Sequence, residues 1–247
     1  MKDLTLYCNC YPEHENQHTQ YMQKNLMCGS SKISEEYRRE LLKKNFYFDD
    51  NGYNISELND YLGDLTGLYY IWKNTSEGII GTNQYRRHWL EEEVDNIKFD
   101  ENTFYVSAPF RFNNSAYDQF IESHGSMMMN VLTEAAKHKK ICLTLDDVEN
   151  LKKINMLSSC NMFFSHRNIF NKLCEIHFET MFEIYNGVKY ALPFIQDDNP
   201  WHVNQPRTLA FLSERILTLM YLNISKYIPN TKVESVSWVN NGTIIKK

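Results

Sequence analysis

Two adjacent arginines, Arg86 and Arg87, stand directly behind Tyr85 in the stretch GTNQYRRHWL at residues 81–90. Ordering a guanidinium side chain costs conformational entropy and burying it costs more, so a pair placed after a short apolar run asks for an anionic counterpart. A planar guanidinium donates two parallel hydrogen bonds and therefore matches phosphate oxygens. The acids Glu91–Glu93 just downstream offer a second reading, a surface salt-bridge cluster. A separate set, Cys8, Cys10, His14 and His18, has the spacing C-x-C-x3-H-x3-H. Thiolates and imidazoles are ordinary zinc ligands, but C-x-C is tighter than usual and its cysteines read as the end of a buried strand.

The chain around these residues is 247 residues long, enough for one large domain with its own core, and we treat 1–247 as a single domain. Hydrophobic content of 43% with 14% aromatic residues argues for a packed globule over a disordered chain. A net charge of −5 argues against sequence-independent nucleic-acid binding, which needs a basic surface. The basic cluster KHKK at 137–140 reads as a solvated helix end, leaving at most peripheral contact with a membrane. Apolar runs such as ILTLMYL are too short to span a bilayer, and MKDLTLYCNC does not read as a secretion signal. The expected location is therefore the cytoplasm or the inner membrane face, with the six cysteines as free thiols.

Periodicity then supplies the elements. LTLYCNC, EGIIGTNQ, TFYVSAP, SSCNMFFS and KVESVSWV read as strands. ISEEYRRELLKKN, SAYDQFIESH, MMMNVLTEAAKHKK, TLDDVENLKKINML, HRNIFNKLCEIHFETMFEIYN and PRTLAFLSERILTLMYLNI read as helices, the last opened by Pro206. The strongest helical pattern runs from Asn54 to Asn74, with Ile55, Leu58, Leu62, Leu65, Tyr69 and Trp72 on one face and a capping box of Asn54 and Glu57. Gly63 and Gly67 lie inside it, each costing about 1 kcal/mol against Ala, which implies a close approach to that face. Strands alternating with helices predict an α/β fold with helices packed on a mostly parallel sheet. Ligands bind such sheets at the carboxyl ends of the strands, where Arg86 and Arg87 emerge.

The stretches DDNGYNISELNDYLGDLTGLYYIWKN, IIGTNQYRRHWL, SAYDQFIESH, CNMFFSHRNIF and RTLAFLSERI, in that order, resemble the DUF4422 family. The resemblance covers about residues 5–220. It implies a glycosyltransferase of bacterial surface-polysaccharide assembly, galactofuranosyl transfer included, with a fold similar to the GT-A nucleotide-sugar-binding type. The chain departs from the family pattern at Gln84, where a His is usual, at Asp64, where a Glu is usual, and at CNC, where a His-Lys pair is common. By resemblance alone, Asp118, His124 and Asn161 are candidate contacts for sugar or acceptor; a lone Asn on a strand or a His at a helix end is more often structural.

Transfer from a nucleotide diphosphate sugar requires that the leaving diphosphate be stabilised and the acceptor hydroxyl relieved of its proton. No Asp-x-Asp metal motif occurs in the chain. Arg86 and Arg87, with Tyr85, are therefore expected to hold the diphosphate, with no metal or other cofactor and a UDP-sugar as donor. Asp49 and Asp50 are candidates for a ribose or sugar hydroxyl, or else a helix-preceding turn. Glu214 and Asp64 interrupt apolar helical faces and are the candidate bases, Glu214 preferred. The same Glu214 could instead pair with Arg215 or Arg207, and Asp64 could hold a donor-sugar hydroxyl. The acceptor is a glycan or lipid-linked glycan, and the aromatic-rich helices leave room for a homodimer. The alternative function is a non-catalytic nucleotide-sugar or glycan-binding domain of the same fold.

Overall fold

The computed structural model describes residues 4–12, 14, 22–194 and 207–247. Its strands are β1 (Leu4–Cys10), β2 (Gln23–Met27), β3 (Tyr47–Phe48), β4 (Ile79–Gln84), β5 (Arg87–Trp89), β6 (Thr103–Ser107), β7 (Phe110–Arg111), β8 (Met156–Leu157), β9 (Phe163–His166), β10 (Lys232–Val236), β11 (Trp238–Asn240) and β12 (Thr243–Ile245). The helices are α1 (Glu35–Lys43), α2 (Asn59–Leu62), α3 (Leu65–Asn74), α4 (Glu91–Asn96), α5 (Ala116–His124), α6 (Met127–Lys137), α7 (Leu145–Asn150), α8 (Arg167–Val188), α9 (Thr208–Leu222) and α10 (Ile224–Tyr227).

Among the described residues the main sheet runs β10-β6-β9-β4-β1-β2-β3, and β5, β11 and β12 extend from it. β1 pairs parallel with β2 and β4, β2 with β3, and β10 with β6. β9 runs antiparallel between β4 and β6, so the sheet is mixed and mostly parallel. All six residues of β4 are buried, as expected of a central strand covered on both faces. The larger core unites this sheet with α3, α8 and α9, where Trp72 stacks on Phe178 at 5.6 Å. A second core on the other side centres on Trp89, Tyr105, Phe164 and Trp238.

The pattern from Asn54 to Asn74 is not one helix. A 3-10 turn at Ser56–Leu58 leads into α2, and Gly63 breaks the chain at φ 53° before α3 begins. That left-handed region favours glycine, and a Cβ there would also meet the Ala210 Cβ at 3.2 Å. Asn54 does not cap a helix; its amide donates to the Asp50 and Gly52 carbonyls and holds a loop. Gly67 does mark the expected close approach: a Cβ would fall 2.5 Å from Asn9 Oδ1 and 2.6 Å from Cys28 Sγ. TLDDVENLKKINML is helical only to Asn150, although Thr144 and Asp147 form the reciprocal capping box. In SSCNMFFS only Phe163 onward is strand, because Cys160 (φ 72°) and Asn161 (φ 48°) form a left-handed turn. Pro206 lies outside the described residues.

Candidate functional site

A cleft of about 270 Å³ opens at the carboxyl ends of β1 and β4. Tyr11 and His14 follow β1; Gln84, Tyr85, Arg86 and Arg87 end β4 and turn into β5. Gly63 and Asp64 enter from the break between α2 and α3, and Arg207, Ala210, Phe211 and Glu214 from the first turns of α9. The cleft thus brings three guanidinium groups onto two carboxylates.

Each arginine is held differently. Register pairs Arg87 with Asn240 across β5 and β11, and Arg87 Nε donates to Asn240 Oδ1 at 3.1 Å while Nη1 donates to Gln84 Oε1 at 2.9 Å. Arg86 lies over the Tyr85 ring at 5.3 Å, and its buried Nε has no hydrogen-bond partner. Arg207 lies over the Tyr11 ring at 5.0 Å. Tyr85 is itself packed between Tyr11, edge-on at 6.0 Å, and His14, stacked at 5.1 Å. The arginines do not form a surface cluster with Glu91–Glu93; Glu93 accepts instead from Ser237 N and pairs with Lys247.

The Asp64 carboxylate, although at the start of α3, does not cap it. Oδ2 accepts from Gln84 Nε2 at 2.9 Å, and Asn161 Nδ2 donates to Oδ1 at 3.2 Å. Burial, reinforced by the nearby Glu214 charge, pushes Asp64 up from 3.8 to about 7, against the pull of those two amides. Glu214 has 14% of its side chain exposed and pairs with Arg215 Nη1 at 3.1 Å, as the ion-pair reading of that helix anticipated. Cys160 N also donates to Glu214 Oε1. Burial raises its pKa, opposed by Arg215, the Cys160 N–H and Arg87.

The left-handed turn joins the two acids. Cys160 donates its N–H to Glu214 and accepts from Gln84 through its carbonyl at 3.0 Å, while Asn161 reaches Asp64. Two successive non-glycine residues in this conformation store backbone strain, a recurrent feature of functional sites.

Other expected residues lie elsewhere. Asp49 is wholly buried and accepts from Gly29 N, Ser30 N, Ser30 Oγ and Ser56 Oγ, so it ties together the turns that follow β2 and β3. Asp50 pairs with Arg38. Neither lines the cleft, because each carboxylate is committed to neighbouring loops. Asp118 is exposed and accepts from Ser115 Oγ in the first turn of α5. His124 stacks on Phe211 at 4.3 Å and backs the cleft wall without lining it. Asn161 is buried and reaches the site through Asp64.

In the C-x-C pair, Cys8 and Cys10 are buried neighbours with sulfurs 3.9 Å apart. His14 is engaged by Tyr85, and His18 lies outside the described residues. Among the described residues no group of three or more His, Cys, Asp or Glu side chains is arranged to hold a metal ion, and both cleft carboxylates already accept hydrogen bonds.

Arg207 and Tyr11 were not singled out from sequence as ligand contacts. Arg207 precedes Glu214 by seven residues, two helical turns, a spacing that does put them on one face. Tyr11 carries no such signal.

The sequence profile described as a domain of unknown function, DUF4422, matches residues 10–226. The chain belongs to the DUF4422 family. Among solved structures, this DUF4422 chain is similar to one described as the WbbM bifunctional glycosyltransferase in its apo form, with a TM-score of 0.68 and 16% identity. The match covers 98% of this chain and 46% of that one, so the chain spans about half its length. At that identity the likeness is one of fold. Core-mannan synthase A from Aspergillus fumigatus in a Mn/GDP form (TM-score 0.38, 9% identity, 98% and 76% covered) carries no argument at that score. Nor does mouse xyloside xylosyltransferase 1 (0.33, 8%, 94% and 84%). No curated protein sequence matches. Among the described residues, no helix is long and apolar enough to cross a membrane.

Proposed function

We propose that the chain is a glycosyltransferase that moves a hexosyl group, with galactofuranosyl among the candidates, from a UDP-linked sugar to a surface-glycan acceptor. The observation that carries this reading is the cleft in which Arg86, Arg87 and Arg207 face Asp64 and Glu214. Fixed guanidinium groups suit a diphosphate leaving group, whose charge grows as the glycosidic bond breaks. In this reading cations of the chain, not a bound metal, take that role. A GT-A-like sheet and the name of the WbbM structure are consistent with the reading.

The base in this scheme is Asp64 rather than Glu214. Glu214 is paired with Arg215, whereas Asp64 has only neutral amides on its oxygens, and its value near 7 suits proton removal from an acceptor hydroxyl. Glu214 contributes negative charge that keeps the Asp64 carboxyl basic.

The test is a panel of nucleotide sugars screened for UDP release, with and without EDTA. The wild type releases UDP from one donor in an acceptor-dependent manner and is indifferent to chelator. Asp64→Asn abolishes release but keeps the rise in melting temperature caused by UDP. Binding of UDP with no release from any donor would instead identify a binding domain.

A further inference from the structure

His177 on α8 is buried in the core, outside the cleft lining, yet a continuous line of hydrogen bonds joins it to Asp64. Its Nε2 lies 2.8 Å from Ser213 Oγ, Ser213 Oγ donates to Asn161 Oδ1 at 3.0 Å, and Asn161 Nδ2 donates to Asp64. We propose that Ser213 and His177 are positioning residues that act through Asn161 to orient the Asp64 carboxylate for proton transfer. The role in transfer rests on reading Asp64 as the base; the wiring does not.

Donor counting sets the direction. A serine hydroxyl has one hydrogen, and Ser213 gives it to Asn161. The short contact to His177 then requires the ring to donate from Nε2, leaving Nδ1 as a bare lone pair. Nδ1 is indeed buried without a partner. Protonation there would bury an uncompensated donor and charge, and burial accordingly holds the ring down at about 4. A neutral ring of fixed tautomer fixes Ser213, and Ser213 fixes the Asn161 amide with its oxygen inward and its nitrogen on Asp64. A flipped amide would set oxygen against carboxylate. Thr82 Oγ1, donating to the Asn161 carbonyl at 2.8 Å, holds the backbone of that residue.

A second line arrives from the cleft. Arg87 donates to Gln84, and Gln84 donates to Asp64. Asp64 is thus the common acceptor of two oriented chains, one starting at a cation in the cleft and one at a neutral ring in the core. The other titratable groups around Asp64 are Glu214 from α9, whose charge raises it, and Tyr11 after β1, Cys28 after β2 and Cys160 from the left-handed turn, which the Asp64 charge itself raises. Arg87 and Arg207 share its cleft. Glu214 adjoins Ser213 in sequence but is held by Arg215 and the Cys160 N–H, and none of these groups is hydrogen-bonded to Ser213 or His177 in the contacts above, so a change at Ser213 reports on the amide line.

The experiment titrates Asp64 by carboxyl-carbon NMR in protein labelled at aspartate, the signal being assigned with Asp64→Asn. In Ser213→Ala the Asn161 amide loses its anchor and donates less well, so the Asp64 midpoint rises by about half a unit or more. A folded Ser213→Ala with an unchanged midpoint overturns the proposal, since loss of packing alone lowers the melting temperature without moving that titration. Nitrogen-15 spectra of wild-type His177 provide a check that needs no variant: a neutral Nε2–H ring from pH 5 to 8 supports the chain, and an Nδ1–H or charged ring overturns it. Both measurements are made without substrate. A shifted midpoint in a protein that releases no UDP from any donor leaves the wiring standing and removes the transferase reading.

Discussion

Arg87→Ala separates anion binding from support of the fold. An arginine has five N–H donors, and Arg87 spends one on Asn240 and one on Gln84, leaving three, among them both on Nη2, for a ligand in the cleft. A charge-assisted hydrogen bond contributes about 1.5–3 kcal/mol, so losing one such contact with a diphosphate weakens UDP binding about 10- to 150-fold. The same substitution strips two buttressing bonds worth about 1 kcal/mol each, lowering the melting temperature by about 4–8 °C for a chain of this size. Arg87→Lys keeps the charge but cannot bridge Asn240 and Gln84 with a planar fork, and falls between wild type and alanine on both measures. Calorimetric titration with UDP at low and at 0.5 M salt, alongside thermal melts, checks both numbers. An alanine variant that melts lower as expected but binds UDP within twofold of wild type refutes the assignment of Arg87 to the diphosphate.

Other outcomes follow from buried contacts. Gly67→Ala gains about 1 kcal/mol of helix propensity but drives a methyl into Asn9 and Cys28, an overpacking cost of about 1–3 kcal/mol; urea melts show net destabilisation, and a gain in stability would contradict the packing described. Asp64 and His177 have opposite pH signatures. Asp64 is raised from 3.8 to about 7, so between those values the folded state holds a proton that the unfolded chain has lost, and its contribution to stability falls as pH rises. His177 is lowered from 6.5 to about 4, so its contribution is full above 6.5 and is lost as pH falls towards 4. The two slopes oppose each other over the shared window. Denaturant midpoints from pH 4 to 7 therefore rise more steeply in Asp64→Asn than in wild type and less steeply, or fall, in His177→Phe.

Local patterning made much of this architecture readable. β1, β4, β6, α5, α6, α8 and α9 coincide closely with their alternating or helical segments, because each buries a face that its own spacing defines. The Asn54–Asn74 segment misled because the apolar stripe continues across Gly63, while the backbone there must turn to deliver Asp64 to Gln84. In SSCNMFFS the strand propensity of the flanking residues conceals two left-handed residues whose conformation is set by Glu214 and Asp64, distant in sequence. The placement of the arginine pair in a cleft at the carboxyl edge of the sheet was legible from residue type and position. Asp49 left two readings open for the converse reason: a DDNG turn and a ligand-facing acid look alike in sequence, and only the Gly29–Ser30 loop distinguishes them. Asn240, Ser213 and His177 gave no signal, since their partners lie 153, 52 and 36 residues away.

The hairpin of β11 and β12 lies beyond residue 226, where the family profile stops, yet it supplies the Asn240 oxygen that steadies Arg87. If Arg87 holds the anion as proposed, substitutions in that hairpin retune how tightly the mouth grips a charged ligand while every residue lining it stays the same. On the proposed role of Arg87, ligand affinity rests in part on this hairpin, and removing the hairpin from an expressed protein would change the very quantity under measurement.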